Sequence, residues 1–134
     1  MVLRFEQVRS AVLSSFPEIR DWAVRRHGPT YDLDEEAPEQ YPLFEDVIRQ
    51  LLFQLLESRT SEPLLSRLFD FFEKMATSTD QHVRDLLGIA ILERLVYDQE
   101  KVRRAWSYMG PRMKELVIDE ARRQGRTDHL PVGL

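Results

Sequence analysis

Thr79 to Leu95 reads TDQHVRDLLGIAILERL, a polar opening followed by Leu86 to Leu92, in which only Gly88 and Ala90 interrupt a row of Leu and Ile. Asp80 suits an N-cap, because its carboxylate can accept a free backbone N–H of the first turn. A helix that is apolar on nearly every side needs neighbours on several sides. The spacing therefore predicts the central helix of a small α-helical stack. The apolar run is far short of the roughly 18 to 20 residues that a membrane helix needs, so it belongs in a protein core. Gly88 costs about 1 kcal/mol in helix propensity relative to Ala, and it is expected to admit the close approach of a neighbouring helix. Glu93, one turn from Ile89 and Tyr97, is expected to be partly buried in an ion pair or hydrogen bond that fixes helix register rather than to act as a catalytic acid.

Working outward, Phe5, Val8 and Val12 fall at helical spacing, and Phe16-Pro17 ends that helix because the residue before proline disfavours the α region. A short second helix has Glu18 near its N-terminus and Arg25, Arg26 and His27 near its C-terminus, ahead of Gly28, as the helix dipole favours. From Pro42, the residues Phe44, Val47, Ile48, Leu51, Leu52, Leu55 and Leu56 form one broad apolar face. Ser61 is placed to cap the next helix, in which Leu64, Leu65, Leu68, Phe69, Phe72, Met75 and Ala76 recur at steps of three and four. Beyond the central helix, Asp98 is placed to cap a helix with Val102, Ala105, Trp106 and Met109, where Trp106 is expected in the core and Tyr108 at the surface. Gly110-Pro111 opens a last helix that stops at Gly125. No β-type alternation of useful length occurs. The class is all-α: a compact antiparallel helical stack or bundle of five to six main helices, in a single domain over residues 1–134 with a frayed tail at 126–134.

At 134 residues the chain can bury a real core without metal or disulfide support, and it has no cysteine. Arg4, Glu6 and Arg9 break the N-terminal apolar run, which argues against a signal peptide or membrane span and for a cytoplasmic location. The net charge of −4 is unevenly distributed. Residues 1–27 carry five Arg against three acids, residues 49–134 carry fourteen bases against thirteen acids, and residues 28–48 carry seven acids and no base. A nucleic-acid binder is expected to show the opposite asymmetry, so direct nucleic-acid binding is not expected.

Chemistry-bearing motifs are scarce. His27, His82 and His129 are far apart, and the one ligand-like spacing, His82 to Asp85, reads as solvated surface. No phosphate loop, nucleophile elbow or zinc-protease helix occurs. No catalytic residue, cofactor or metal is therefore expected, and the chain reads as no enzyme. The bases Arg103, Arg104, Arg122, Arg123 and Arg126 interleave with Glu100, Glu115, Asp119 and Glu120, as on the ion-paired surface of solvent-facing helices. The acidic, Pro-rich segment at 28–41 differs. It is expected to form a loop without helical period, either a solvated linker or an electrostatic docking surface. In the second case Asp32, Asp34, Glu35, Glu36 and Glu39 would steer a basic partner and Tyr31 and Tyr41 would anchor it, as suits the basic cleft of a nuclease.

The run Asp80-Gln81-His82-Val83-Arg84-Asp85-Leu86-Leu87 is similar to the start of the second helix of HEAT-type repeats. Leu68 to Val117, with FDFFE, DQHVRDLLGIAILERL and YMGPRMKEL, resembles the C-terminal part of a family of small uncharacterised bacterial helical proteins, some of which resemble immunity proteins of polymorphic toxin systems. The resemblance implies a fold and a context, not a catalytic residue. With the acidic segment it gives the leading expectation, a non-enzymatic binding protein that neutralises a cognate protein toxin by direct complex formation. The alternative is a small helical scaffold or regulatory interaction module, which could be a homodimer, using a concave helix face or the C-terminal peptide HLPVGL.

Overall fold

The structure, a computed structural model, describes residues 2–58 and 62–131. Eight helices and no strand occur among the described residues. Helix α1 spans Phe5–Ser15, α2 Glu18–His27, and α3, a single turn, Leu33–Glu36. Helix α4 runs without a break over residues 40–57 and includes a π-type stretch at Leu43–Ile48. Helix α5 spans Glu62–Ala76, and α6 covers residues 81–97 with a second π-type stretch at Gly88–Leu92. Helix α7, Gln99–Ala105, tightens into a 3₁₀ turn at Trp106–Tyr108, and α8 spans Pro111–Gln124. Ser61, expected to cap α5, lies outside the described residues.

Punctuation residues explain these boundaries. Asp80 and Asp98 cap α6 and α7, accepting the N–H of His82 at 3.0 Å and of Lys101 at 3.2 Å. Gly110 precedes a proline at the start of α8, and Gly125 ends it in the left-handed region at φ 68°. There the N–H of Arg126 donates to the carbonyl of Ala121 at 2.7 Å and that of Gly125 to Arg122 at 3.1 Å, satisfying carbonyls that the helix end leaves free.

Helix α6 is central, touching α1, α4, α5, α7 and α8. Val83, Leu86, Leu87, Ala90, Ile91, Leu92, Leu95 and Val96 are all buried, in one core with Phe44, Phe69 and Phe72. Enclosure is not complete, however: Ile89 is 47% exposed. The expected reason for Gly88 is also wrong. A Cβ built on Gly88 meets nothing within 4 Å, so no helix approaches it closely. Gly88 instead opens the π-type stretch, where the wider winding frees backbone carbonyls, and the guanidinium of Arg49 donates to the nearby carbonyl of Ala90 at 3.2 Å.

The close approach occurs at Gly110. A Cβ there would lie 2.5 Å from the carboxyl carbon of Glu73. From α5, that carboxylate accepts the N–H groups of Arg112 at 3.0 Å and Met113 at 2.8 Å, capping α8. Trp106 and Tyr108 are both half-buried against the core: Trp106 packs there as expected, with Lys114 Nζ 5.4 Å above its ring, whereas Tyr108, expected at the surface, stacks on Phe69 at 6.1 Å. The tail is not frayed over residues 126–131. A 3₁₀ turn at Thr127–His129 places the His129 ring Nδ1 2.8 Å from the carbonyl of Val96, and Leu130 packs against the core.

Candidate docking surface

The acidic segment is ordered by three kinds of contact. Leu33 and Ala37 are buried and anchor it to the core. Asp32 accepts the N–H of Asp34 at 3.0 Å, and the resulting cap starts α3 where a loop without helical period was expected. Asp34 turns back onto the first two helices. Arg20 grips it with two nitrogens at 3.1 and 3.3 Å, Arg9 donates to it at 2.9 Å, and Arg9 Nε also holds the carbonyl of Ala37 at 3.0 Å. The Arg20 and Arg9 guanidinium groups lower the pKa of Asp34 below its ordinary value. Asp34 is therefore a structural tie, and its charge is matched within the chain.

Tyr31 and Tyr41 are also less available than the sequence implied. Tyr31 stacks on His27 at 4.5 Å, and Tyr41 lies 6.2 Å from the ring of Phe5. Both are half-buried against the core, because a phenol ring gains more by covering apolar surface than by standing in water. Burial raises the pKa of both hydroxyls, and carboxylates add to it: Glu36 and Asp46 at Tyr31, Asp85 and Glu45 at Tyr41.

The exposed acids extend beyond residues 28–41 into the start of α4. Asp32, Glu35, Glu36 and Glu39 are exposed, as is Asp46 on α4, and Glu45 is partly exposed. None makes an ion pair with a cation among the described residues. Glu45 and Asp46 were legible as part of the acidic stretch. What ties them to the tyrosines is the start of α4 within that stretch. Asp85 comes from α6, 44 positions beyond Tyr41 in the sequence, and only the packing of α6 near the start of α4 unites them.

The other candidate residues remain apart. Glu93 makes the expected ion pair, with Arg123 on α8 at 3.3 Å, but with 44% of the Glu93 side chain and 62% of that of Arg123 exposed the pair is too solvated to fix helix register. Among the described residues no group of three or more His, Asp or Glu could hold a metal ion, and no helix is long and apolar enough to cross a membrane.

The fold and this surface define an all-α helical stack with a locally uncompensated negative face. The chain belongs to the DUF7674 family, a domain of unknown function whose model matches residues 9–125. No curated protein and no solved structure matches it.

Proposed function

We propose that the chain is a non-enzymatic binding protein of bacterial origin and cytoplasmic location, and that it is an immunity protein neutralising a cognate toxin by direct complex formation. The observation that carries this reading is the set of exposed acids, Glu35, Glu36, Glu39 and Asp46, left without cationic partners among the described residues in a stretch, 28–48, that holds seven acids and no base. Exposed like charges repel one another, and a basic partner surface relieves that repulsion while steering encounter. Glu35 and Glu36 sit on α3, Asp46 on α4 and Glu39 just before α4; Leu33, Ala37 and the Asp34 tie hold the segment in place, so little ordering cost accompanies binding. The partner is a protein with a basic cleft, such as a nuclease toxin.

The test is to purify the tagged protein from its native host, expressed from its own locus, and to identify its partner by mass spectrometry. The reading requires one stoichiometric partner that is toxic when made alone and harmless when made with this chain. Recovery of the chain by itself, or of a housekeeping assembly, favours the second reading, a scaffold or homotypic interaction module. The exposed Ile89, in a groove between α6 and α8 with Leu92 and Leu116, supports that alternative. The HLPVGL peptide supports it less, since His129 and Leu130 are already docked on the fold.

A further inference from the structure

A groove of about 670 Å³ lies between α1 and α5. It is within the size range of small-molecule sites, and it shares no lining residue with the acidic surface. Its apolar part comes from Phe71, which is 6% exposed and set edge-on to Phe16 at 5.9 Å, and from the half-buried Leu3. Ala11, Ser14 and Thr77 line the sides, and their small side chains leave the space open. At the mouth Val2 is 45% exposed, an unusual position for a large aliphatic group in this molecule.

The charge of this groove is opposite in sign to that of the protein as a whole. Lys74 is its one charged lining residue; no carboxylate lines the groove, although the chain carries 23 acids. Lys74 has no side-chain partner among the described residues. An apolar floor, hydroxyl-bearing walls and a single free ammonium group match an apolar body with one negative terminus.

We propose that the α1–α5 groove binds an amphipathic monocarboxylate, with its chain over Phe71 and Leu3 and its carboxylate at Lys74. Burial of the chain supplies affinity, and the ammonium group selects an anionic head over a cationic one.

The test uses the full chain and decanoate below its micelle-forming concentration, with decyltrimethylammonium as the control of opposite charge. At saturation decanoate is expected to raise Tm by about 5 °C or more, and the control is expected to leave it unchanged. Ser14→Trp, at an exposed helix position lining the groove, fills the site and abolishes the shift; Lys74→Glu weakens decanoate binding at least about tenfold. Far-UV circular dichroism and the ligand-free Tm verify that both variants are folded. A wild-type Tm indifferent to decanoate, a comparable shift with the cationic amphiphile, or an undiminished response in either folded variant overturns the proposal.

Discussion

The carboxylate of Asp80 accepts the backbone N–H of Phe5 at 2.8 Å across 75 positions of sequence, while its other oxygen accepts the N–H of His82 at 3.0 Å. One side chain thus caps α1 and α6 together. The buried Ser78 completes the junction, donating its hydroxyl to the carbonyl of Leu3 at 2.5 Å and accepting the N–H of Asp80 at 3.0 Å. Asp98 caps only α7, so Asp80→Ala should destabilise the fold more than Asp98→Ala, for which a loss of about 1 kcal/mol is typical. Chemical denaturation of the two variants compares them. Equal midpoints would mean that the Phe5 contact contributes no more than the ion pair that Asp98 makes with Lys101.

That junction is also pH-sensitive. The hydrogen bond from Phe5 is the main cause that lowers the pKa of Asp80, so its contribution is fully present above the ordinary carboxylate range and is lost as pH falls through the lowered folded value. The stability of the wild type should therefore fall more steeply below about pH 4 than that of Asp80→Ala, as denaturation midpoints at successive pH values would record.

Two glycines should respond in opposite directions. Gly88 is helical at φ −61° and open on its Cβ side, so Gly88→Ala should stabilise by up to about 1 kcal/mol. Gly110→Ala places a methyl group against the Glu73 carboxylate that caps α8, and should lower Tm. Thermal unfolding of both variants suffices, and a destabilised Gly88→Ala would show that the π-type stretch needs glycine for a reason other than space.

Asp34→Asn should release the acidic segment without unfolding the protein. Its ties to Arg9 and Arg20 are exposed, and such pairs contribute little to global stability. Hydrogen exchange should accelerate over residues 33–37 while Tm changes little. A cooperative loss of the whole fold would contradict this local role.

Glu93→Gln should behave as a surface substitution, with an effect within about 0.5 kcal/mol, because its pair with Arg123 is solvent-exposed. Denaturation midpoints measure this directly, and a loss of several kcal/mol would contradict it.

The helical spacing of Leu51 to Leu56, of Leu64 to Ala76 and of Val83 to Val96, with caps at Asp80 and Asp98, made the all-α stack legible before any coordinates, because periodicity and capping are local. What escaped depended on partners distant in sequence. The use of Glu73 as a cap for α8, the second role of Asp80 and the engagement of Asp34 by Arg9 and Arg20 each join separate elements. Tyr108 was misplaced because it lies off the stripe of Val102, Trp106 and Met109 in a regular helix, whereas the 3₁₀ turn brings it onto Phe69. The acidic surface was half legible: its charge excess, Asp46 included, is in the sequence, while the loss of Asp34 from the free set depends on the fold.

The most direct measurement is the dissociation constant of the captured partner for the wild type and for a variant carrying Glu35→Lys, Glu36→Lys and Asp46→Lys, with Asp34 retained to keep the segment in place. The expected result is a loss of more than about a hundredfold, together with wild-type affinity that weakens as salt rises. Unchanged affinity in the folded variant would contradict the assignment of this acidic surface as the docking site.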